Sequence, residues 1–197
     1  MKGSVKAHIS LLLAASMWGL MSPVGKAAME AGITGLTLAN MRMIGAAVCF
    51  WTTSFFVKQE KVNPHDLLML FFASLLGIVC NQGCFTFGLS LTSPVDASIM
   101  TTTMPIVTMI LAALFLKEPV TPKKVIGIFL GSIGALTLIL SNRGGDTEGG
   151  SVWGDALCMA AQISFACYLT IFKKLIARYH VITLMKWMFT YAAICFI

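Results

Sequence analysis

Two neighbouring amide side chains, Asn81 and Gln82, lie in the middle of the apolar stretch GIVCNQGCFTFG. Amides in a hydrocarbon environment need hydrogen-bond partners, because no water is present to satisfy them. Such residues either bond to a neighbouring helix or line the path of a polar substrate. The pair therefore predicts an interhelical hydrogen bond or a small-molecule site.

Three threonines and a proline, TTTMP at residues 101–105, interrupt a second apolar run. Pro105 has no N–H, so the helix loses the hydrogen bond to the carbonyl of Thr101 and bends there. Threonine hydroxyls can re-satisfy the freed backbone groups. The segment predicts either the wall of a cavity or a packing kink whose threonines bond back to their own helix.

Two cations, Arg42 and Lys186, also lie inside apolar runs, and we expect both a turn or two inside the outward ends of their helices. A long basic side chain at such a position extends to the membrane interface. The alternative is attraction of an anionic group in an outward-facing cavity.

No combination of residues predicts catalysis. The sequence contains no nucleophile elbow, HExxH pair or phosphate-binding glycine loop, and its six cysteines lie in apolar runs without zinc or redox spacing. We therefore expect no enzyme activity, no cofactor and no metal.

The composition indicates how these residues are held. The chain is 57% hydrophobic and 11% charged, whereas soluble domains have roughly 45–50% apolar and 25% charged residues. Apolar runs of about 18 to 25 residues recur, each long enough to cross a hydrocarbon core of about 30 Å. Their sequences lack the alternation of a β-barrel. We predict an all-α polytopic membrane bundle with helices at about 6–29, 35–57, 66–90, 94–116, 122–140, 153–176 and 181–197.

Prolines and charges define the ends of these helices. Asn63, Ser93 and Thr121 each precede a proline, as expected for N-caps, and we expect Asp66 and Asp96 to stabilise the first turns rather than to form an ion path. Basic residues gather at alternate helix ends, which places those ends and the N-terminus in the cytoplasm. The distribution of the basic residues thus explains the net charge of +6 without nucleic acid as a partner. It predicts a multi-pass protein of the plasma (cell inner) membrane, with lipid as its partner.

The polar stretch SNRGGDTEGGS divides the chain into a five-helix unit at 1–141, a linker at 142–151 and a second unit at 152–197. Because five is an odd number, the second unit enters the membrane from the opposite side, and such inverted repeats are typical of secondary transporters. The second unit holds about two helices, so we expect an incomplete repeat. In the fifth helix, Gly127 and Gly131 form a GxxxG pattern that predicts close helix packing, within the chain or in a homodimer.

The sequence resembles the EamA-type family of the drug/metabolite transporter superfamily. The resemblance is carried by AASMWGLMSPVGKAA, by the segment around Arg42, by SPVDASIMTTTMPIVTMILAALFLKEPVTPKKVIGIFLGSIGALTLIL and by the restart after Gly150. It implies ten helices in two inverted repeats, cytoplasmic termini and movement of metabolites, amino acids or drugs, often outward.

The resemblance also implies roles for individual residues. The candidate substrate-binding residues are Trp18, Asn81, Gln82, Thr102 and Tyr168. The candidate structural or gating residues are Arg42, Pro105, Glu118, Gly127 and Gly131.

We therefore expect a secondary transporter, with export as the expected direction, that alternates access around a cavity at the membrane midplane. The alternative is a truncated, non-transporting membrane protein that acts through helix packing or by assembly with a homodimer partner or with the missing C-terminal helices.

Overall fold

The structure, a computed structural model, describes residues 2–58, 60–141 and 151–196. The described residues form seven long helices and no strand, which confirms the predicted all-α bundle. The helices are α1 (Lys2–Glu30), α2 (Gly35–Ser54), α3 (Pro64–Leu91), α4 (Pro94–Leu116), α5 (Pro122–Ser141), α6 (Val152–Ile171) and α7 (Val181–Phe196), with one further helical turn at Lys173–Ile176. Residues 142–150 of the predicted linker lie outside the described residues.

Four of these helices, α1, α3, α4 and α6, are long and apolar enough to cross a membrane by length and composition, and α7 is a shorter apolar helix. Most apolar side chains of α1 are exposed, and most of those of α4 are only partly buried. Exposure on this scale is expected where a helix faces hydrocarbon rather than water. The chain is thus an integral membrane protein.

The predicted caps are present at the starts of α3 and α4. The side-chain oxygen of Asn63 accepts a hydrogen bond from the His65 N–H at 3.1 Å, and the Ser93 hydroxyl oxygen accepts one from the Asp96 N–H at 3.1 Å.

The prediction of one unbroken helix at 153–176 is wrong, because α6 stops at Phe172, whose φ of −95° and ψ of 14° lie outside helical geometry.

Two helix pairs form the centre of the bundle, α3 against α6 and α2 against α7. Small residues let α3 and α6 approach closely: a Cβ on Gly88 would lie 2.7 Å from the Gly154 carbonyl oxygen. Small interface residues of this kind are common in membrane helix packing. The largest buried cluster joins α2, α3, α6 and α7, and it includes Met43, Leu70, Tyr168, Leu184 and Met188.

Candidate functional site

A cavity of about 720 Å³ lies between α1, α2, α3, α6 and α7. Its size falls within the range of small-molecule sites, about 300–1,000 Å³. Four of the residues singled out in the sequence line it together: Trp18, Arg42, Gln82 and Tyr168. The remaining lining residues are apolar or aromatic: Met43, Gly45, Ala46, Gly77, Ile78, Phe165, Leu169, Ile176, Met185, Met188 and Phe189.

A π-helical segment in α3, Leu75–Cys80, contributes Gly77 and Ile78 to the cavity wall. Single π-turns inside α-helices occur frequently at functional sites. The α6 side chain of Ser164 donates a hydrogen bond to the Leu76 carbonyl at 2.7 Å, which satisfies a backbone acceptor of the segment. A Cβ on Gly77 would lie 2.7 Å from the ring of Tyr168, so this glycine is what allows the ring to lie against α3.

The two amides have different environments. Asn81 is 6% exposed, and its amide nitrogen donates a hydrogen bond to the Ala161 carbonyl of α6 at 2.8 Å. Gln82 lines the cavity, and its nitrogen donates to the Asn81 side-chain oxygen at 3.0 Å. Asn81 thus makes the interhelical bond that was one of the two expectations, while Gln82 faces the cavity.

The side-chain oxygen of Gln82 is buried and has no hydrogen-bond partner among the described residues. One turn further along α3, the hydroxyl oxygen of Thr86 is also buried without a hydrogen-bond partner among the described residues. A buried acceptor without a partner costs about 1–3 kcal/mol. Because the Gln82 side chain lines the cavity, its rotation would bring this oxygen to a donor on a bound molecule and remove that cost.

Among the residues that the structure describes, Arg42 is the only charged one that lines the cavity, and none of the lining residues is acidic. Its Nη2 lies 2.9 Å from the sulfur of Met21, and no carboxylate in the described part of the chain pairs with it. Ionisable groups at membrane depth usually face a cavity and have a partner. Arg42 therefore supplies positive charge to an otherwise uncharged space.

Aromatic rings form one side of the cavity. The ring of Trp18 meets Phe165 edge-on with centroids 6.1 Å apart, and Phe165 lies 5.6 Å from Tyr168. Such rings provide rigid apolar surface. The three methionines, Met43, Met185 and Met188, add flexible side chains that can adapt to different shapes.

Thr102 does not line this cavity. Its hydroxyl donates to the Ile99 carbonyl at 2.7 Å, and those of Thr101 and Thr103 likewise bond to carbonyls of their own helix. The helix is interrupted at Thr103, because Pro105 cannot donate to the carbonyl of Thr101. The structure thus has the geometry of the kink rather than that of a cavity wall at Thr102.

Pro105 and Glu118 line a separate hollow of about 330 Å³ between α4 and the start of α5. Glu118 pairs with Lys173 and, at 3.8 Å, with Lys124. The hydrogen bond from Lys173 is the main cause that lowers the pKa of Glu118 below its ordinary value of 4.5. Glu118 thereby links the end of α4 to the turn that follows α6.

Gly127 and Gly131 do not make the close contact expected within the chain. A Cβ at either position would meet nothing within 4 Å in the described part of the structure. Their face of α5 is open, since α5 packs mainly against the first half of α4. Close packing against a second chain stays a prediction.

Sequence reasoning missed a polar cluster at the end of the bundle assigned to the cytoplasm. Asp66 is 4% exposed and accepts hydrogen bonds from Arg178 at 2.7 Å and from the Tyr179 hydroxyl at 2.6 Å. The pair with Asp66 raises the pKa of Arg178 above its ordinary value. Asp66 therefore joins α3 to the loop before α7, beyond the role of a first-turn charge.

The expectation that Lys186 lies near the outward end is wrong. Its ammonium lies 3.3 Å from the Ser54 hydroxyl and 4.9 Å from the Trp51 ring centroid, at the C-terminal end of α2. The predicted helix order already implies this position, because the end of α2, the end of α6 and the start of α7 all lie on the side assigned to the cytoplasm. The start of α3 lies on that side too, so the same order would have predicted that Asp66 and Arg178 are close together.

Residues 5–140 match the model of the EamA-like transporter family. An uncharacterized transporter of Archaeoglobus fulgidus is 26% identical over 180 residues, which is 91% of this chain and 62% of that protein. The uncharacterized transporter YetK of Bacillus subtilis is 27% identical over 179 residues, 89% of this chain and 54% of that protein. The Arabidopsis thaliana protein WALLS ARE THIN 1 is 31% identical over 119 residues, 59% of this chain and 31% of that protein.

The chain thus spans less than two thirds of the length of these relatives. One solved crystal structure resembles it with a TM-score of 0.65 and 15% identity, over 92% of this chain and 65% of the other. At that identity the likeness shows a shared fold.

Proposed function

The chain belongs to the EamA-like transporter family, and from this premise we propose that it carries small organic solutes across the membrane by alternating access. The observation that carries the proposal is the cavity of about 720 Å³ in which Trp18, Arg42, Gln82 and Tyr168 come together. An apolar cavity with a few polar groups is the usual form of a small-molecule site.

Polar contacts at both ends of the cavity-forming helices support a rocking mechanism. At the end assigned to the cytoplasm, Asp66 bonds to Arg178 and Glu118 pairs with Lys173. At the other end, the Thr92 hydroxyl donates to Asp155 at 2.6 Å. In a secondary transporter, contacts of this kind break and re-form in turn as the two units move around a fixed site.

Lys26 adds to the contacts at the outer end. Its ammonium donates to the carbonyls of Leu89 and Thr92, each at 3.1 Å, and thereby connects α1 to the last turn of α3. A carbonyl in the last turn of a helix, such as that of Leu89, has no partner within the helix. The contact joins the C-terminal end of α1, which carries Trp18, to that of α3, which carries Gln82.

We further propose export as the direction and the plasma membrane, with a cytoplasmic N-terminus, as the location. The direction rests on the resemblance to the family, and the orientation rests on the distribution of basic residues. Uptake into inside-out vesicles compared with right-side-out vesicles tests the direction.

The test of the carrier proposal is saturable uptake of a panel of labelled solutes into proteoliposomes. For a transported solute, we expect Gln82→Leu to lower uptake with little change in protein level and melting temperature, because the lost bond to Asn81 is offset by removal of the buried, unpartnered Gln82 oxygen. Asn81→Leu is the comparison variant, and we expect it to lower the amount of folded protein, because it removes the bond to Ala161. Normal kinetics of Gln82→Leu would contradict the assignment of the site.

The alternative function, a non-transporting partner protein, is favoured by the open face around Gly127 and Gly131. It predicts no saturable uptake of any solute, together with a dimer that Gly131→Leu dissociates. Retention of a dimer in that variant would exclude this surface as the interface.

A further inference from the structure

We propose that the cavity selects amphipathic organic anions, in which Arg42 binds the anionic group and the aromatic and methionine side chains bind an apolar, ring-containing body. The inference rests on the proposed function, since it names the substrate class of the same cavity. It goes beyond that function because a carrier of small solutes has no required charge preference.

The charge balance of the cavity wall favours an anion. Fifteen of the described residues line the cavity, and Arg42 is the only ionised side chain among them. Its position, seven residues after Gly35 at the start of α2, puts its backbone about 10 Å below the helix end, at about 1.5 Å per residue. A cation in low-dielectric surroundings without a carboxylate partner attracts an anion and repels another cation.

Gln82 adds an amide to the same wall, and its oxygen is buried without a partner, so that a rotation of the side chain brings this acceptor to the cavity. An amide oxygen accepts hydrogen bonds and repels carboxylate oxygens, so it fits a ligand O–H or N–H and not the anionic group itself. The wall thus presents one cationic donor at Arg42 and, once the Gln82 side chain rotates, one acceptor. A molecule with a carboxylate and a separate hydroxyl or N–H matches both.

The remainder of the wall is apolar and suits a ring-containing body. The rings of Trp18, Phe165 and Tyr168 are arranged edge-on or tilted with centroids 5.6–6.1 Å apart, so they present both faces and edges to the cavity. A flat ring can pack against such surfaces in offset or edge-on contact. Methionines at positions 43, 185 and 188 permit variation in the shape of that ring system.

The same chemistry, an anionic head on an apolar body, exists in solutes and in anionic lipids. The experiment therefore uses protein in nanodiscs made of phosphatidylcholine alone and, separately, with added phosphatidylglycerol. Binding is measured by calorimetry at pH 7 for three probes with one skeleton: 3-(4-hydroxyphenyl)propanoate, its neutral amide, and 3-(4-hydroxyphenyl)propylamine as the cation. Each probe is titrated to about 10 mM.

We expect the carboxylate to bind at least about tenfold more tightly than the amide and the amine. Arg42→Gln is expected to weaken the carboxylate about tenfold or more and to leave the amide unchanged, while Arg42→Lys retains part of the preference. Lys123→Gln is the matched control, because it removes one exposed positive charge outside the cavity, and we expect it to change nothing.

Several results would overturn the proposal: no binding of the carboxylate, binding of the amide or amine at equal strength, or an anion preference that survives Arg42→Gln. Loss of carboxylate binding when phosphatidylglycerol is added would assign the site to lipid and likewise overturn it. These results differ from failure of the carrier function. Equal transport of all three probes refutes the charge preference alone, whereas selective anion binding without saturable uptake refutes the carrier alone.

Discussion

Replacement of Gly88 by alanine tests whether the contact between α3 and α6 is as close as the structure indicates. The added Cβ would lie 2.7 Å from the Gly154 carbonyl oxygen and from the Cys158 sulfur, and 3.0 Å from the Cys158 backbone nitrogen. Ordinary contact begins at 3.4 Å, so the helices must separate by about 0.7 Å. Two of the three opposing atoms belong to the backbone, and no side-chain rotation can relieve them.

The magnitude follows from two opposing effects. Overpacking of a well-packed interface costs about 1–3 kcal/mol, and a clash with backbone belongs at the upper end of that range. Alanine gains about 1 kcal/mol over glycine in a helix interior. The expected net loss is therefore about 2 kcal/mol, or a fall in melting temperature of about 4–8 °C for a chain of this size.

The assay is thermal unfolding of the purified protein in detergent. Gly131→Ala is the matched control, because its Cβ meets nothing within 4 Å and its melting temperature should stay the same or rise. The Gly88→Ala and Gly154→Ala double variant should lose less than the sum of the single losses, since one separation of the helices relieves both clashes. A Gly88→Ala protein as stable as Gly131→Ala would refute the packing of α3 on α6.

Two further predictions concern the polar contacts at the end assigned to the cytoplasm. Asp66→Asn should lower the melting temperature, because Arg178 and Tyr179 lose their carboxylate partner, and adding Arg178→Gln should cause little further loss; additive losses would show that the two residues do not interact. Glu118→Gln should lower the melting temperature at pH 7 and have a smaller effect as the pH falls below 4.5. Lys173 holds the pKa of Glu118 below its ordinary value of 4.5, so the contribution of the ion pair is present above that pH and is lost as the pH falls through the lowered pKa. A loss that does not shrink as the pH is lowered would contradict the ion pair.

The positions of the helices could be predicted from the sequence because apolar runs and caps are local signals. Asn63 and Ser93 cap α3 and α4 through contacts two or three residues away, so no distant part of the chain is needed to specify them. The interruption at Thr103 follows in the same way from Pro105 and its missing N–H.

The π-helical segment Leu75–Cys80 and the end of α6 at Phe172 were not predicted. The π segment is held by contacts with α6, among them the bond from Ser164 to Leu76 and the fit of Tyr168 against Gly77. These contacts join residues about 90 positions apart, so the hydrophobic periodicity within one helix cannot predict them.

The candidate site was predicted in part for a similar reason. Asn81 and Gln82 are adjacent, and adjacent residues point about 100° apart around a helix, so only one of them faces the cavity. Which one it is depends on the rotation of α3 against α6, which the sequence does not specify. Trp18, Arg42 and Tyr168 line the same cavity, and their roles in substrate binding stay predictions.

The most direct test of the central claim is the access of water-soluble reagents to the cavity from both sides of the membrane. Gly45 lines the cavity and a Cβ there meets nothing within 4 Å, so Gly45→Cys is a suitable reporter once the six native cysteines are replaced by alanine. Its control is Gly131→Cys, on the open face of α5. A carrier with alternating access predicts that a membrane-impermeant maleimide modifies position 45 from either side and leaves position 131 unmodified. Equal, slow modification of both positions would contradict the account.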